Sequence, residues 1–445
     1  MRISTFLLSL LLLASPATAV PVNEDQKLLA SDASAGDKFG LSVAASADVL
    51  VVGAPEKDIL FGTLVEAMGA AYVFTRDENN EWEQTARLTP IDGGTPGVGG
   101  SSTHGYSVAV SGDTVFVGAP GERAVYVYAK DGAGGWPHFQ KIPSPGADVG
   151  DLFGHALAAS GDRLVVGAPQ SAYFFAYDAV KGIWELVDDF TSSVPLSAFG
   201  TAVAIDGDRA VIGAMGDDFL GPAAGAAHVF AWNGEKWVSE ALLRPDDLAA
   251  SYEFGHSVSI AGDSILVSAS RFLLGADGAG KSYRYDRIGG VWQLRSEFLA
   301  ADESSAGEFG WSVALQSNAA VVTDNYYDGP AVNSGRAYIF VPNASGDWAR
   351  SDILEASDAG FSDGFGSWTA IAGSTVVVGS WGDDDGGSTA GAAYVFELNL
   401  EAASVPAMNS IGTLLCAGAM LTLGALRLNK RPSRFAKRRS ARTAP

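Results

Sequence analysis

The chain has 445 residues, of which 54 are glycine and 10% are aromatic, and it shows few helix signals. This composition favours one all-β repeat array over two or three unrelated domains. The formal net charge of −22 excludes nucleic acid as a partner, because an acidic surface repels phosphates, and it favours solubility in a salty exterior over binding of a basic partner. The only cysteine in the sequence is Cys416, so stability must come from packing rather than from disulfides.

Residues 1–19 have the pattern of a secretory signal peptide. Arg2 supplies the positive charge, an apolar run extends from Phe6 to Ala14, and a small-x-small site follows. We predict cleavage after Ala19. The apolar run is short for a bilayer-spanning helix, which makes a retained N-terminal anchor the weaker alternative.

Residues 20–400 contain seven copies of one repeat. Each copy opens with Phe-Gly, or once with His-Gly, and reaches a Gly-Ala-Pro-like tripeptide fourteen residues after that first position. The first positions are Phe39, His104, Phe153, Phe199, Phe254, Phe309 and Phe365. A fixed internal spacing in seven copies predicts seven equivalent structural units.

Alternation and turn residues predict four strands per repeat. A strand of small residues leads through a short Gly-Asp type of turn to a continuous apolar strand, which ends at the Gly-Ala-Pro proline. A third strand is aromatic, as in Tyr72-Val73-Phe74, and a fourth begins at a tryptophan. Because the tryptophans recur at one repeat position, we expect them to pack between units: Trp82, Trp136, Trp184, Trp237, Trp292 and Trp348.

The seventh repeat has no fourth strand of its own. The segment from Leu28 to Phe39 matches, in register, the segment from Phe298 to Phe309, which begins in the fourth strand of the fifth repeat. We therefore predict that the N-terminal strand completes the last unit. The result is an all-β, seven-bladed β-propeller of four-stranded blades, closed so that edge strands are hidden.

The motif resembles the FG-GAP repeat of integrin α-subunit propellers and their bacterial relatives, over about Lys27 to Glu397. It is complete at Gly53-Ala54-Pro55 and degenerates in later copies. The resemblance implies extracellular recognition or adhesion more often than catalysis. Many relatives bind Ca²⁺ in an Asp-x-Asp-x-Asp-Gly loop between the first two strands, but every such turn here is short. We therefore predict no calcium site there, and no metal or cofactor elsewhere.

Residues 401–410 form a linker with a sorting motif at Val405-Pro406, residues 411–428 a predicted transmembrane helix, and residues 429–445 a basic cytoplasmic tail. This block resembles the C-terminal sorting segments of Gram-negative bacteria of the Ile-Pro-Thr-Leu and Pro-Glu-Pro types. The resemblance implies a sorting protease of the exosortase kind that removes the tail; a retained membrane anchor is the alternative. We expect a monomer exported across the inner membrane to the cell envelope, the surface or the exterior.

Strand parity places the loops between strands two and three, together with the blade-to-blade connections, on one face, which we call the loop-rich face. The opposite, short-turn face carries only hairpin turns. Long loops on a rigid scaffold favour ligand binding, although simple loop packing is an alternative. The ligand-binding candidates are Asp217, Asp218, Phe219, Phe272, Tyr326, Tyr327, Asp328, Trp381, Asp383, Asp384 and Asp385.

Asp383, Asp384 and Asp385 favour a solvated turn over a metal site, because adjacent carboxylates do not point at one centre without a folded cage. Four of the five histidines hold repeat positions, which favours structural roles over catalytic ones. They are His104, His138, His155, His228 and His256, and all except His138 hold such positions. No nucleophile elbow, metalloprotease helix or phosphate loop is present in the sequence, so no catalytic residue is predicted.

These features predict a recognition or adhesion module that binds an extracellular protein or glycan through the loop-rich face. One alternative is a propeller hydrolase or lyase that acts on an extracellular polymer, with polar groups from several blades converging on that face. The other is a structural surface or matrix protein without a specific ligand.

Overall fold

The computed structural model describes seven ranges of the chain. These are residues 21–61, 64–90, 102–146, 151–248, 250–270, 280–300 and 307–400. The signal peptide with Ala19, the motif Val405-Pro406, the predicted helix 411–428 and the basic tail lie outside them. Within the described ranges, no helix is long and apolar enough to cross a membrane.

The described residues form β-strands and no helices, and seven antiparallel four-stranded sheets make the blades of a β-propeller. The first strands of neighbouring blades contact one another around the axis. Blades are numbered I to VII from the first Phe-Gly copy. The first strand of the described chain is β1 (Gln26–Leu28). Blade I contains β2 (Ser42–Ala45), β3 (Val49–Ala54), β6 (Ala70–Arg76) and β7 (Trp82–Leu88). An additional hairpin between β3 and β6 consists of β4 (Asp58–Phe61) and β5 (Leu64–Ala67).

The remaining blades follow in chain order. Blades II and III contain β8 (Ser107–Ser111), β9 (Thr114–Ala119), β10 (Ala124–Ala129), β11 (His138–Pro143), β12 (Ala156–Ser160), β13 (Arg163–Ala168), β14 (Ser171–Asp178) and β15 (Ile183–Thr191). Blades IV and V contain β16 (Phe199–Asp206), β17 (Arg209–Ala214), β18 (Ala226–Trp232), β19 (Trp237–Leu243), β20 (Phe254–Ala261), β21 (Ser264–Ala269), β22 (Lys281–Ile288) and β23 (Val291–Leu299). Blades VI and VII contain β24 (Val313–Gln316), β25 (Ala319–Asp324), β26 (Arg336–Pro342), β27 (Trp348–Leu354), β28 (Phe365–Ala372), β29 (Thr375–Ser380) and β30 (Ala392–Glu397).

The N-terminal strand closes the ring, as the sequence predicts. Strand β1 pairs antiparallel with β30, with Lys27 opposite Tyr394 and Leu28 opposite Ala393. The segment that precedes β1 extends to blade VI, where the Val22 amide donates a hydrogen bond to the Ile353 carbonyl at 2.8 Å. Blade VII is therefore built from both ends of the described chain, and its fourth strand protects an edge that would otherwise be unpaired.

The aromatic residue that opens each repeat packs edge-on against the aromatic residue of the third strand in the same blade. Ring centroids lie 5.5 Å apart for Phe39 and Tyr72 and 4.9 Å apart for His104 and Tyr126. In blade IV, Phe199 packs against His228 at 5.1 Å. Histidine thus substitutes for phenylalanine or tyrosine without loss of this core contact, and His104 and His228 have structural positions, as predicted.

The two glycines of the motif make the blade-to-blade contact. Gly40 has a φ of +89°, and a Cβ built there would lie 2.1 Å from the Ala392 carbonyl oxygen of blade VII. A Cβ on Gly379 would lie 1.9 Å from the carbonyl oxygen of Gly40. Only glycine allows the two backbones to approach this closely. The glycines of the repeat motif therefore have a structural role.

The tryptophan prediction is also confirmed. Trp184 of blade III packs on Phe116 of blade II at 4.9 Å, and Trp237 of blade IV packs on Phe174 of blade III at 4.6 Å between ring centroids. Trp82, on the outer strand of blade I, is buried in a cluster that includes Val377 of blade VII. These rings fill the wedge between blades.

The loops follow the predicted parity, with one difference. The connection 55–69 contains the hairpin β4–β5, whereas the sequence analysis predicted only loops between the second and third strands. Blades II and III have only residues 120–123 and 169–170 between their second and third strands. The loop-rich face is therefore uneven, with its bulk on blade I and blades IV to VII.

Candidate functional site

The acidic loop of blade VII closes around a lysine. The Lys27 ammonium lies 2.7 Å from Asp358, 2.8 Å from Asp383 and 2.7 Å from Asp385. The carboxylate oxygens of these three residues lie within 4.8 Å of one another. The sequence predicted that adjacent carboxylates would not point at one centre without a folded cage. Here the buried Asp383 and the exposed Asp385 both reach the Lys27 ammonium, and Asp384 between them is exposed. The centre that they surround is the ammonium of the closing strand.

A tyrosine completes this cluster. The Tyr394 hydroxyl lies 2.6 Å from Asp383 and 2.9 Å from Asp358. Burial opposes ionisation of Asp358, but hydrogen bonds from Lys27 and Tyr394 hold the pKa of its carboxyl below the ordinary value. These contacts tie β1, β30 and the loop between them together, so the cluster acts first as a clasp on the closed ring.

Equivalent clusters of tyrosine, carboxylate and cation recur in other blades. In blade I, Tyr72 donates to Asp32 at 2.7 Å. In blade V, Tyr283 donates to Asp247 at 3.1 Å. Asp32, Asp247 and Asp358 each stand seven residues before a Phe-Gly pair. That spacing is the sequence signal for the clasp, and it marks these carboxylates as parts of the scaffold.

Of the three ligand-binding candidates in the blade IV loop, one is buried and two are exposed. Asp217 is buried and pairs with Arg244 at 2.7 Å, and its carboxylate accepts the Phe219 amide hydrogen bond. Phe219 is 74% exposed beneath the Arg244 guanidinium. Asp218 is exposed. Phe272, in the blade V loop, lies outside the described residues.

A cavity of about 160 Å³ lies between the loops of blades VI and VII and brings two aromatic candidates together. Its lining residues are Asn325, Tyr326, Asn333, Ser362, Gly364 and Trp381. Asn325 is 3% exposed, and its Oδ1 has no hydrogen-bond partner among the described residues. The Lys38 ammonium lies over the Trp381 ring at 5.5 Å. We call this the interloop cavity.

Two candidates shape the blade VI loop without lining that cavity. The Arg336 guanidinium stacks on the Tyr327 ring at 3.7 Å. The Asp328 carboxylate accepts a hydrogen bond from the Asn333 amide at 2.9 Å. Both contacts hold the loop in place around Tyr326.

A larger cavity of about 260 Å³ opens at the axis on the loop-rich face, and sequence reasoning missed it. Six blades contribute to its wall, which contains Tyr106, His155, Thr201, His256, Trp311 and Trp368 among others. Each of these residues stands one or two positions after a Phe-Gly pair or, for Tyr106, after the His104-Gly105 pair. That position varies from repeat to repeat, and this variation was the available signal. We call this the central cavity.

Burial favours the uncharged form of both imidazoles of the central cavity. Burial lowers the pKa of His155, against an opposing contribution from the Thr201 backbone, and burial lowers the pKa of His256 to about 4. The Tyr106 hydroxyl lies 3.3 Å from Nε2 of His155, and burial raises the pKa of Tyr106. None of the described lining residues carries a formal charge.

One ring contact connects the two cavities. Trp311, in the wall of the central cavity, packs edge-on against Tyr326 of the interloop cavity, with centroids 5.9 Å apart. Aromatic groups thus extend from the axis to Trp381. The fifth histidine, His138, lies elsewhere, against Tyr126 and Tyr128 of blade II.

Comparisons with known proteins agree with this architecture. The model of the FG-GAP repeat family matches residues 22–74, 82–133, 190–230, 237–285, 292–340 and 348–396, which is more than half of the chain. The six matches omit the third blade, which the structure nevertheless forms. No curated protein matches the sequence significantly.

Solved structures show only distant likeness. A protein from Lactobacillus plantarum is 14% identical, with 72% of this chain and 86% of that chain covered at a TM-score of 0.47. The periplasmic gluconolactonase PpgL of Pseudomonas aeruginosa is 15% identical, with 71% and 85% covered at 0.47. Saccharomyces cerevisiae Sqt1 is 11% identical, with 85% and 100% covered at 0.47.

Proposed function

Because the chain belongs to the FG-GAP repeat family, we propose that it is an extracellular recognition module that binds a protein or glycan through the loop-rich face. The binding surface consists of the central cavity, the interloop cavity and the aromatic contact between them. A cell-envelope location with a C-terminal anchor or sorting segment is part of the same proposal and rests on the sequence features of both ends.

The contact between Trp311 and Tyr326 carries this proposal. It joins two concave sites on one face into a single aromatic surface, and Tyr326 is 39% exposed. Aromatic side chains are enriched where surfaces bind partners, because they bury a large area at low entropic cost. Phe361, which is 75% exposed, directly precedes the lining residue Ser362 in the sequence.

A binding panel tests the proposal. Purified full-length protein is screened against immobilised bacterial polysaccharides, oligosaccharides and extracellular matrix proteins. We expect at least one ligand whose affinity falls by at least about tenfold in Tyr326→Ala and Trp381→Ala, as loss of a buried aromatic anchor predicts. Trp232→Ala is the matched control, because Trp232 is half-buried at the end of β18 on the short-turn face. Ligand binding that all three variants retain would contradict the site.

The pair of His155 and Tyr106 favours a second candidate, a hydrolase or lyase that acts on an extracellular polymer. A neutral imidazole accepts a proton and a tyrosine hydroxyl donates one, and the two groups lie 3.3 Å apart in a cavity. No described lining residue supplies a carboxylate or a metal ligand set beside them. Polysaccharide cleavage that is lost in His155→Gln and in Tyr106→Phe would establish this activity; uncleaved polymers that still bind would exclude it.

A further inference from the structure

Trp368 departs from the repeat pattern at the central cavity. The second residue after Phe-Gly is serine or alanine in the other six copies: Ser42, Ser107, Ala156, Ala202, Ser257 and Ser312. In blade I, the Ser42 hydroxyl donates to the Gly105 carbonyl of the next blade at 2.9 Å. In blade VII, Ser367 makes the corresponding bond to Gly40, at 3.1 Å. The scaffold bond therefore does not need Trp368, which is 40% exposed in the cavity wall.

A second indole of the central cavity is held in a fixed orientation. The Trp311 Nε1 donates to the Ser367 carbonyl at 3.0 Å, and its ring packs against His256 at 4.8 Å between centroids. A ligand that stacks on this ring meets a surface that is already ordered. Such preorganisation reduces the entropy lost on binding.

The hydrogen-bonding state of His256 follows from its neighbour. Nδ1 lies 3.1 Å from the Trp311 carbonyl oxygen, which only accepts hydrogen bonds, so Nδ1 carries the proton. In the neutral ring, Nε2 is then an acceptor. Among the described residues, Nε2 has no hydrogen-bond partner. The cavity thus offers an acceptor to a hydroxyl group, and the Tyr106 hydroxyl and several aromatic side chains line the same cavity.

The uncharged lining and the volume of the central cavity limit the class of ligand that it can bind. The cavity wall has no charged side chain among the described residues, so an ionised group would lose its hydration without a counter-ion. An apolar peptide side chain would leave Nε2 of His256 without a hydrogen-bond partner. The volume of 260 Å³ is below the roughly 300–1,000 Å³ of sites for drug-sized ligands. One small ring fits these limits better than an extended chain.

We propose that the central cavity binds one neutral sugar ring at the end of a glycan. The apolar face of the ring stacks on Trp311 or Trp368, and its hydroxyl groups bond to Nε2 of His256 and to Tyr106. This inference rests on the proposed recognition function and narrows its ligand class. The glycan continues from the cavity across Tyr326 toward the interloop cavity.

Titration of the purified full-length protein with single sugars tests the inference. The probes are the methyl glycosides of glucose, galactose, mannose and N-acetylglucosamine, with glucuronate and glucosamine as charged counterparts. Tryptophan fluorescence and saturation-transfer NMR are the readouts. We expect at least one neutral glycoside to bind with a Kd of about 1 mM, at least about tenfold more tightly than the charged sugars. Signal transfer is expected to be strongest at the ring C–H protons that face an indole.

Three variants locate the binding. Trp368→Ala and His256→Phe are expected to weaken binding by at least about tenfold. His256→Phe retains a ring beside Trp311 and removes the nitrogen acceptor. Trp232→Ala is expected to bind as the wild type does. Circular dichroism checks the fold, and Trp368→Phe is the conservative substitute expected to retain most of the affinity.

Two results would overturn the inference. One is the absence of any neutral glycoside binding, including the case in which an aromatic peptide binds instead. The other is binding that both cavity variants leave unchanged. The proposed function would survive either result if a panel ligand still depended on Tyr326 and Trp381, and it would fall only if that dependence were also absent.

Discussion

Replacement of Lys27 by methionine removes the cation at the centre of the blade VII clasp. The Lys27 side chain is 17% exposed and that of Asp383 is 3% exposed, whereas Asp385 is 60% exposed. Loss of one partner of a buried ion pair costs about 3–5 kcal/mol, and an exposed pair contributes about 0–1 kcal/mol. Because Tyr394 still donates to Asp383, we expect Lys27→Met to lower the free energy of unfolding by about 2–4 kcal/mol.

Urea denaturation followed by tryptophan fluorescence measures this loss. Lys38→Met is the matched control, since the Lys38 and Glu56 side chains are 31% and 49% exposed and their pair is worth less than about 1 kcal/mol. Ca²⁺ is expected to restore part of the stability of Lys27→Met, because three carboxylates then converge without a cation. Equal losses in the two variants would refute the idea that the ammonium holds the ring closed.

The pH dependence of the stability of Lys27→Met tests whether the loss of stability has an electrostatic cause. Despite opposing burial, the hydrogen bonds from Lys27 and Tyr394 lower the pKa of Asp358 in the folded state. The stability that this shift provides is present above the ordinary pKa of the carboxyl and is lost as pH falls through the lowered value. The difference between wild type and Lys27→Met should therefore shrink in acid. A difference that stays constant would point to lost packing of the lysine stem.

Two further predictions concern other parts of the scaffold. Gly36 and Gly40 share a φ of +89°, but a Cβ on Gly36 meets nothing within 4 Å, whereas one on Gly40 would lie 2.1 Å from a carbonyl oxygen. In thermal unfolding, Gly36→Ala should lower the free energy of unfolding by about 1 kcal/mol and Gly40→Ala by at least about 3 kcal/mol. Equal losses would contradict the idea that Gly40 is needed for the close contact between backbones. Burial, with Asp324 and Glu253 nearby, raises the pKa of Glu308 from 4.5 to about 7. Since the folded state binds this proton more tightly, the stability of the wild type should fall as the pH rises from about 4.5 to about 7. Glu308→Gln should remove this pH dependence and raise the free energy of unfolding by on the order of 2 kcal/mol at about pH 8. An unchanged slope in Glu308→Gln would assign the pH dependence to other groups.

The features predicted correctly from the sequence are those that the repeat period determines. Seven blades, the strand order and the completion of blade VII by β1 all follow from the regular spacing of local patterns. The packing of Trp184 and Trp237 between blades follows from the same period. Hairpin β4–β5 was not predicted, because among the described residues only blade I carries such a hairpin, so the repeat period gives no signal for it.

The features that were missed depend on closure of the ring. Lys27 and Asp383 are distant in sequence, and only the pairing of β1 with β30 brings them together. The central cavity likewise collects residues from six blades, each of which looks like an ordinary strand position by itself. His155 and His256 were correctly placed in the repeat, but their convergence at the axis becomes visible only in three dimensions.

Hydrogen–deuterium exchange tests the central claim most directly, because it maps the binding surface without any substitution. The experiment compares free protein with protein saturated by the tightest-binding ligand of the panel. We predict protection in segments 325–335 and 381–391 and in the strand starts at His256 and Trp311, which line the two cavities. Protection confined to the turns of the short-turn face, such as residues 112–113 and 161–162, would contradict recognition through the loop-rich face.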